Sequence, residues 1–215
     1  MALQSIAHQP TNFDLKILSL ELMTRILSLG PNMLYPHHSS LVFHGSLLVQ
    51  LDHNSNRFPD LFCAQFSLLS TALFHHNEAV FKTMHVFMAC VTNMLNSLCH
   101  YCSIKIVRKT KKRNQETQTK CADKMSRLYQ EISSHKATIS KYIPYMITEY
   151  IQQIQEHQLQ EQVKKLLEAG IYCLIDASGE HEIALLHATL DRGSRELFTT
   201  LINEYNKFYK FKGKV

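Results

Sequence analysis

Apolar residues return every three or four positions through most of this chain, and little interrupts them. That step is the spacing of one helix face. With six glycines and five prolines in 215 residues, there is little room for the turns that many short strands would need. From Asn12, "NFDLKILSLELMTRILSLG" sets Leu15, Leu18, Leu22, Ile26 and Leu29 on one stripe. Gly30-Pro31 stops that helix where a left-handed cap and a proline belong. Leu41 to Leu51 is apolar but too short for its period to separate helix from strand. After the polar break "DHNSNRFPD", Pro59 suits a first helical turn, opening a helix through Phe62, Phe66, Leu69 and Leu73.

The same spacing predicts helices to the end of the chain. Met125, Leu128 and Ile132 form one stripe; Ile143, Ile147, Tyr150 and Ile154 form the next. Pro144 removes a backbone donor and so begins or kinks its helix. Val163, Leu166, Leu167, Ile171, Leu174 and Ile175 surround Gly170, which costs about 1 kcal/mol against alanine within a helix and points to close approach by a neighbour. Ser178 suits an N-cap ahead of Glu180 and Glu182, with Ile183, Leu186 and Leu190 as the buried edge. Asp191 suits the cap of a last helix whose apolar face is Leu197, Leu201, Tyr205 and Phe208. The expected class is all-α: an irregular α-solenoid or helical-repeat array of antiparallel helices, without a strict repeat period.

Charge is unevenly placed. No Lys, Arg, Asp or Glu lies between Lys82 and Lys105, and "RKTKKR" follows, which imitates a membrane span with a basic flank. His85, Asn93, Asn96 and His100 are costly in hydrocarbon, so a helix buried among helices is the expectation, with no membrane partner. From Lys105 to Lys124, eight basic residues face only Glu116 and Asp123; the whole chain carries +5, so the rest sums to −1. Arg108, Lys109, Lys111, Lys112, Arg113, Lys120 and Lys124 are candidates for RNA contact or nuclear import, beside the plainer reading of a solvated linker. Lys207, Lys210, Lys212 and Lys214 form a second candidate phosphate-facing set, and they also suit a helix C-terminus. The division expected is a helical segment 1–107, a basic linker 108–120 and a helical domain 121–215.

Metal and catalytic chemistry find little support. "GEHEIALLH" resembles a zinc-protease helix, but that chemistry needs its histidines four apart on one face. His181 and His187 are six apart. "CHYC", Cys99 to Cys102, lacks a second half, and the histidine doublets His37-His38 and His75-His76 have no finger spacing with the six cysteines. No secretory pattern opens the chain, so free buried thiols are expected. No Gly-rich phosphate loop or G-x-S-x-G elbow is present, and no enzyme, cofactor or metal is expected.

The last third carries a resemblance. "RLYQEI", "KYIPYMITEYI", "GIYCLID", "HEIALLHATLD" and "SRELFTTLINEYNKFYKFKGK", in that order between about Arg127 and Lys214, resemble the C-terminal domain of the Unhealthy ribosome biogenesis protein 2 family. The resemblance implies a non-catalytic nucleolar scaffold of large-subunit pre-rRNA processing, with nucleolar assembly factors as partners and pre-rRNA as a further candidate. The family members are longer than this chain. Its shared positions here are Tyr142, Pro144, Tyr150, Gly170, Tyr172, Asp176, Leu190, Asp191 and Phe198, read as packing, kink and cap. The tail departs at Phe211, where the family pattern has an aromatic that is often tryptophan, and at Tyr209, where it has a small residue. The competing reading is a helical-repeat adaptor outside ribosome assembly, recognisable by exclusion from nucleoli.

Overall fold

The computed structural model describes residues 13–30, 36–49, 51–104 and 115–210. They are nearly all helical, with no strand among the described residues. In chain order the helices are α1 (Phe13–Ser28), α2 (Pro36–Leu48), α3 (Phe58–His75), α4 (Asn77–Lys82), α5 (Met84–Cys102), α6 (Gln115–Ser133), α7 (Lys136–Ile139), α8 (Ile143–Glu156), α9 (Glu161–Ala177), α10 (Glu180–Thr189) and α11 (Arg192–Glu204). A 3-10 turn, Ser140–Tyr142, leads into α8, and a wide π turn, Tyr205–Tyr209, follows α11.

Helices alternate between two packing series. In the first, α1 packs on α3, α3 on α6 and α6 on α9. In the second, α2 packs on α4 and α5, α5 on α8, and α8 on both α10 and α11. Pairs such as α5–α6 and α8–α9 join the two, so one cluster of buried side chains runs from Leu20 to Tyr205.

Local chemistry explains the boundaries. Pro59 and Pro144 each lie in a first turn, where no backbone donor is needed. Gly30 takes a positive φ of 148° just past α1. Leu41 to Leu48 is helical, and Phe43 is fully buried. The uncharged stretch after Lys82 becomes α5, with Met84, Phe87, Val91, Met94, Leu95 and Leu98 inside. His85 is exposed, and Asn93, Asn96 and His100 are half-buried. Those polar groups repeat at helical spacing and give α5 a polar edge, and no described helix is long and apolar enough to cross a membrane.

Gly170 sits where α9 meets α6. A Cβ there would lie 2.8 Å from the Ser126 Cα and 3.0 Å from the Ser126 carbonyl oxygen, so the missing side chain sets how closely the two backbones approach. At the start of α11, the Asp191 carboxylate accepts the Ser194 N–H at 3.1 Å as an N-cap. Hydrogen bonds from Ser194 hold the Asp191 pKa below the usual carboxylate range.

Three sequence expectations shift. The α1 stripe Leu18, Leu22 and Leu29 is exposed at 62%, 57% and 73%, while Leu20 and Leu27 on the opposite side are buried. Ser178 ends α9, its hydroxyl donating to the Leu174 carbonyl, and Gly179 opens α10 with Glu182 accepting its N–H at 2.9 Å. In α11, Phe198 and not Leu197 is fully buried, and Phe208 is 56% exposed. The π turn adds a residue to the last coil and turns Tyr209 inward in place of Phe208.

Candidate nucleic-acid interface

Both ends of the basic stretch are held by the same short segment. Ser103 forms an antiparallel bridge with Leu159, and the Ile104 N–H donates to the Gln158 carbonyl at 2.9 Å. At the far end, the Gln115 side-chain amide donates to Gln162 at 3.0 Å. Chain leaving at Ile104 and entering α6 at Gln115 is therefore anchored to residues only four positions apart, Gln158 in the connection after α8 and Gln162 in the first turn of α9. Lys105, Arg108, Lys109, Lys111, Lys112 and Arg113 fall between these anchors and lie outside the described residues. The expected linker ran to residue 120; residues 115–120 are already helix.

Lys120 and Lys124 stand one turn apart on α6 and share its α3-facing side. Lys124 places its ammonium 4.6 Å from the centre of the Phe66 ring. Lys120 lines a cleft of about 590 Å³ between α1, α3 and α6, with Arg25, Arg57, Glu21, Asp60 and Cys63. Arg57 is engaged there, at 2.7 Å from Asp14 and 3.0 Å from Asp60. Arg25 and Lys120 are its remaining lining cations. Sequence reading missed Arg25 and Arg57 because both are far from the basic stretch in the chain and isolated among other residue types.

Cys63 on α3 also borders this cleft. A hydrogen bond from the Cys121 thiol on α6 lowers the Cys63 pKa to about 7; Lys124 and Lys120 act in the same direction, against burial. Cys121 is fully buried, and that shared hydrogen bond pushes its own pKa up. None of the six cysteines forms a disulfide. Cys99 and Cys102 lie fully buried in α5.

The tail lysines belong to another surface. Lys207 sits 4.9 Å over the Phe208 ring, and Lys210 lines a cleft of about 550 Å³ with Ile175, Ile183, Ile202, His187 and Glu180. The two clefts share no residue. Lys212 and Lys214 lie outside the described residues, as does Phe211. The chain is fastened to α9 just before them. The Tyr205 hydroxyl donates to Asp176 at 2.7 Å, Tyr172 donates to Glu204 at 3.3 Å, and Cys173 and Tyr209 are 3.0 Å apart.

Tyr172, Asp176 and Gly170 thus act in packing and fastening, each at a position of the motifs between Arg127 and Lys214. The Urb2/Npa2 family pattern matches residues 17–214, nearly the whole chain. This chain belongs to the Urb2/Npa2 family. Membership implies a role in ribosome biogenesis, in a family of biogenesis factors that is not a known enzyme family. The match starts at α1, far upstream of the legible motifs. No solved structure matches the chain.

Among the described residues of this Urb2/Npa2 chain, no group of three or more His, Cys, Asp or Glu is arranged to hold a metal ion. His76, from a sequence doublet, is instead buried, with its Nε2 2.8 Å from the Leu27 carbonyl, fastening the end of α1. Glu168 is the carboxylate that sequence reading passed over. It is buried on α9, with Lys164 at 3.5 Å, and burial raises its pKa. The i,i+4 spacing with Lys164 was the available signal.

Proposed function

We propose that this chain is a non-catalytic scaffold in large-subunit pre-rRNA processing and pre-ribosome assembly in the nucleolus. In this reading the two alternating helix series are a stretch of irregular solenoid, whose grooves receive nucleolar assembly factors. The basic residues Lys105 to Lys124 contact pre-rRNA phosphates, and Lys207, Lys210, Lys212 and Lys214 make a second phosphate contact. The segments 1–107 and 121–215 serve as two parts joined through the basic stretch, whose last residues, 115–120, are the first turns of α6.

One observation carries the RNA part: Ile104 and Gln115, the described residues on either side of six cations in the sequence, are both hydrogen-bonded to the 158–162 segment. Phosphate contacts release counterions, with a log-log salt slope of about −0.7 per contact for single strands. Replacing Lys105, Arg108, Lys109, Lys111, Lys112 and Arg113 by glutamine should flatten that slope by up to about 4. RNA binding by filter retention across a salt series measures it. An unchanged slope would remove the basic stretch from the interface.

The assembly part is tested by sedimenting nuclear extract containing the tagged chain, with and without ribonuclease. Travel with large-subunit precursors is expected. Retention at the top of the gradient together with exclusion from nucleoli would favour an adaptor outside ribosome assembly.

A further inference from the structure

Helix α1 is apolar on two opposite sides. Leu20 and Leu27 are buried against the rest of the chain, with Phe13, Ile17 and Met23 packed partly beside them. Diametrically opposite lie Leu15, Leu18, Leu22, Ile26 and Leu29, of which Leu18, Leu22 and Leu29 are more than half exposed. An all-round apolar helix ordinarily lies inside a structure. In its packing series, α3 and α6 are each covered on two sides, by α1 and α6 and by α3 and α9. Among the described residues, α1 is the first member of this series and packs chiefly on α3.

The order of the stripe says what fits it. Its steps are three, four, four and three, the same read in either direction, with Leu22 at the centre. At about 100° per residue these five side chains fall within about 40° of Leu22 around the helix. An antiparallel pair of such helices related by a two-fold axis sets Leu22 against itself, Leu18 against Ile26 and Leu15 against Leu29. Glu21 and Arg25 are both exposed and border the stripe on one edge. A two-fold of this kind keeps equivalent edges together, bringing Glu21 of each copy towards Arg25 of the other. A different helix would require apolar matching only; neither the palindromic spacing nor the charge pair would be needed.

We propose that the outer face of α1 is a self-association surface, whose occupant is the α1 helix of a second copy, antiparallel and centred on Leu22. The contact is one helix of about 24 Å, which places the dimer among weak, concentration-dependent associations near the small end of specific interfaces.

Sedimentation equilibrium of the full chain across a wide concentration series tests it. The mass should climb from 24.9 kDa towards twice that value. Leu22→Glu opposes two carboxylates at the axis and should weaken dimerisation by at least about a hundredfold. Glu21→Arg and Arg25→Glu should each weaken it several-fold, and the double charge reversal should restore it. Because these side chains are exposed, circular dichroism and melting of the variants should match wild type, which separates lost contact from lost fold. A chain monomeric at every concentration overturns the proposal and leaves the face to a helix of another protein. A dimer indifferent to Leu22→Glu, or single charge reversals that the double variant fails to rescue, overturns it as well.

Discussion

Replacing Gly170 by alanine pits two effects of opposite sign against each other. Within a helix, alanine is favoured over glycine by about 1 kcal/mol, so in an open position the change would stabilise. Here the new Cβ would stand 2.8 Å from the Ser126 Cα and 3.0 Å from its carbonyl oxygen, whereas ordinary contact begins near 3.4 Å. Both opposing atoms are backbone, so no rotamer change relieves them. Helices α6 and α9 must separate by roughly half an ångström or more, and a gap of that size already forfeits a quarter to a half of each dispersion well. The flanking side chains Met125, Tyr129, Leu167, Ile171 and Leu174 are fully or nearly fully buried and would share that loss. Overpacking of this kind costs about 1–3 kcal/mol. Set against the helix-propensity gain of about 1 kcal/mol, the expected net destabilisation is up to about 2 kcal/mol, or up to roughly 8 °C in Tm for a domain of this size. Urea unfolding followed by circular dichroism measures it, with a lower midpoint and unchanged m. Adding Ser126→Gly should rescue little, because the Cα and carbonyl contacts remain. A Gly170→Ala midpoint raised above wild type by the helix-propensity gain would refute the close approach of α6 and α9.

Further expectations concern titration and thiol chemistry. Asp191→Ala should lower Tm while Asp191→Ser, which keeps a capping acceptor, should hold it. The Asp191 folded pKa is depressed by Ser194, so its contribution is present above the unfolded carboxylate value and fades as pH falls through the folded one; acid melts should show that loss in wild type and not in the serine variant. Burial raises the Tyr129 and Tyr150 pKa values well above 10, and raises Tyr205 to about 12 with Asp176 assisting. Raised folded values mean that this stability is complete below about pH 10 and is lost as pH climbs through them. Tyrosinate absorbance of the buried set should therefore rise together with loss of helix; ionisation of all tyrosines near pH 10 with helix intact would contradict the burial. Cys63 should be the first of the six thiols alkylated, with a rate midpoint near pH 7. Cys121→Ala removes the hydrogen bond and should move that midpoint upward; peptide mass mapping after timed iodoacetamide treatment decides it.

Helix existence was legible wherever one apolar stripe stood alone. Met125, Leu128 and Ile132, or Ile143, Ile147 and Tyr150, are all fully buried as their spacing predicts. In α1 two stripes oppose each other, and spacing cannot choose between them; the five-residue stripe that dominates the sequence is the one facing outward. At the tail, regular spacing assumed a regular coil, and the π turn displaced the inward position from Phe208 to Tyr209. Ser178 and Gly179 are adjacent, and which of them caps α10 rests on Glu182 reaching back to the Gly179 N–H. The basic residues were visible as a run. Their anchoring at Gln158, Leu159 and Gln162, and the company Lys120 keeps with Arg25 and Arg57, depend on contacts between distant segments that no local pattern records.

The interleaving of the two helix series bears on what covalent continuity is needed for. A polypeptide severed between Ile104 and Gln115 would yield pieces that still clasp each other: α3 lies on α6, α5 touches both α6 and α8, and Ser103 is laced to Leu159. Neither piece can leave without giving up surfaces in both series at once. Covalent continuity between Ile104 and Gln115 is thus not what holds the described helices against one another; their shared surfaces do that.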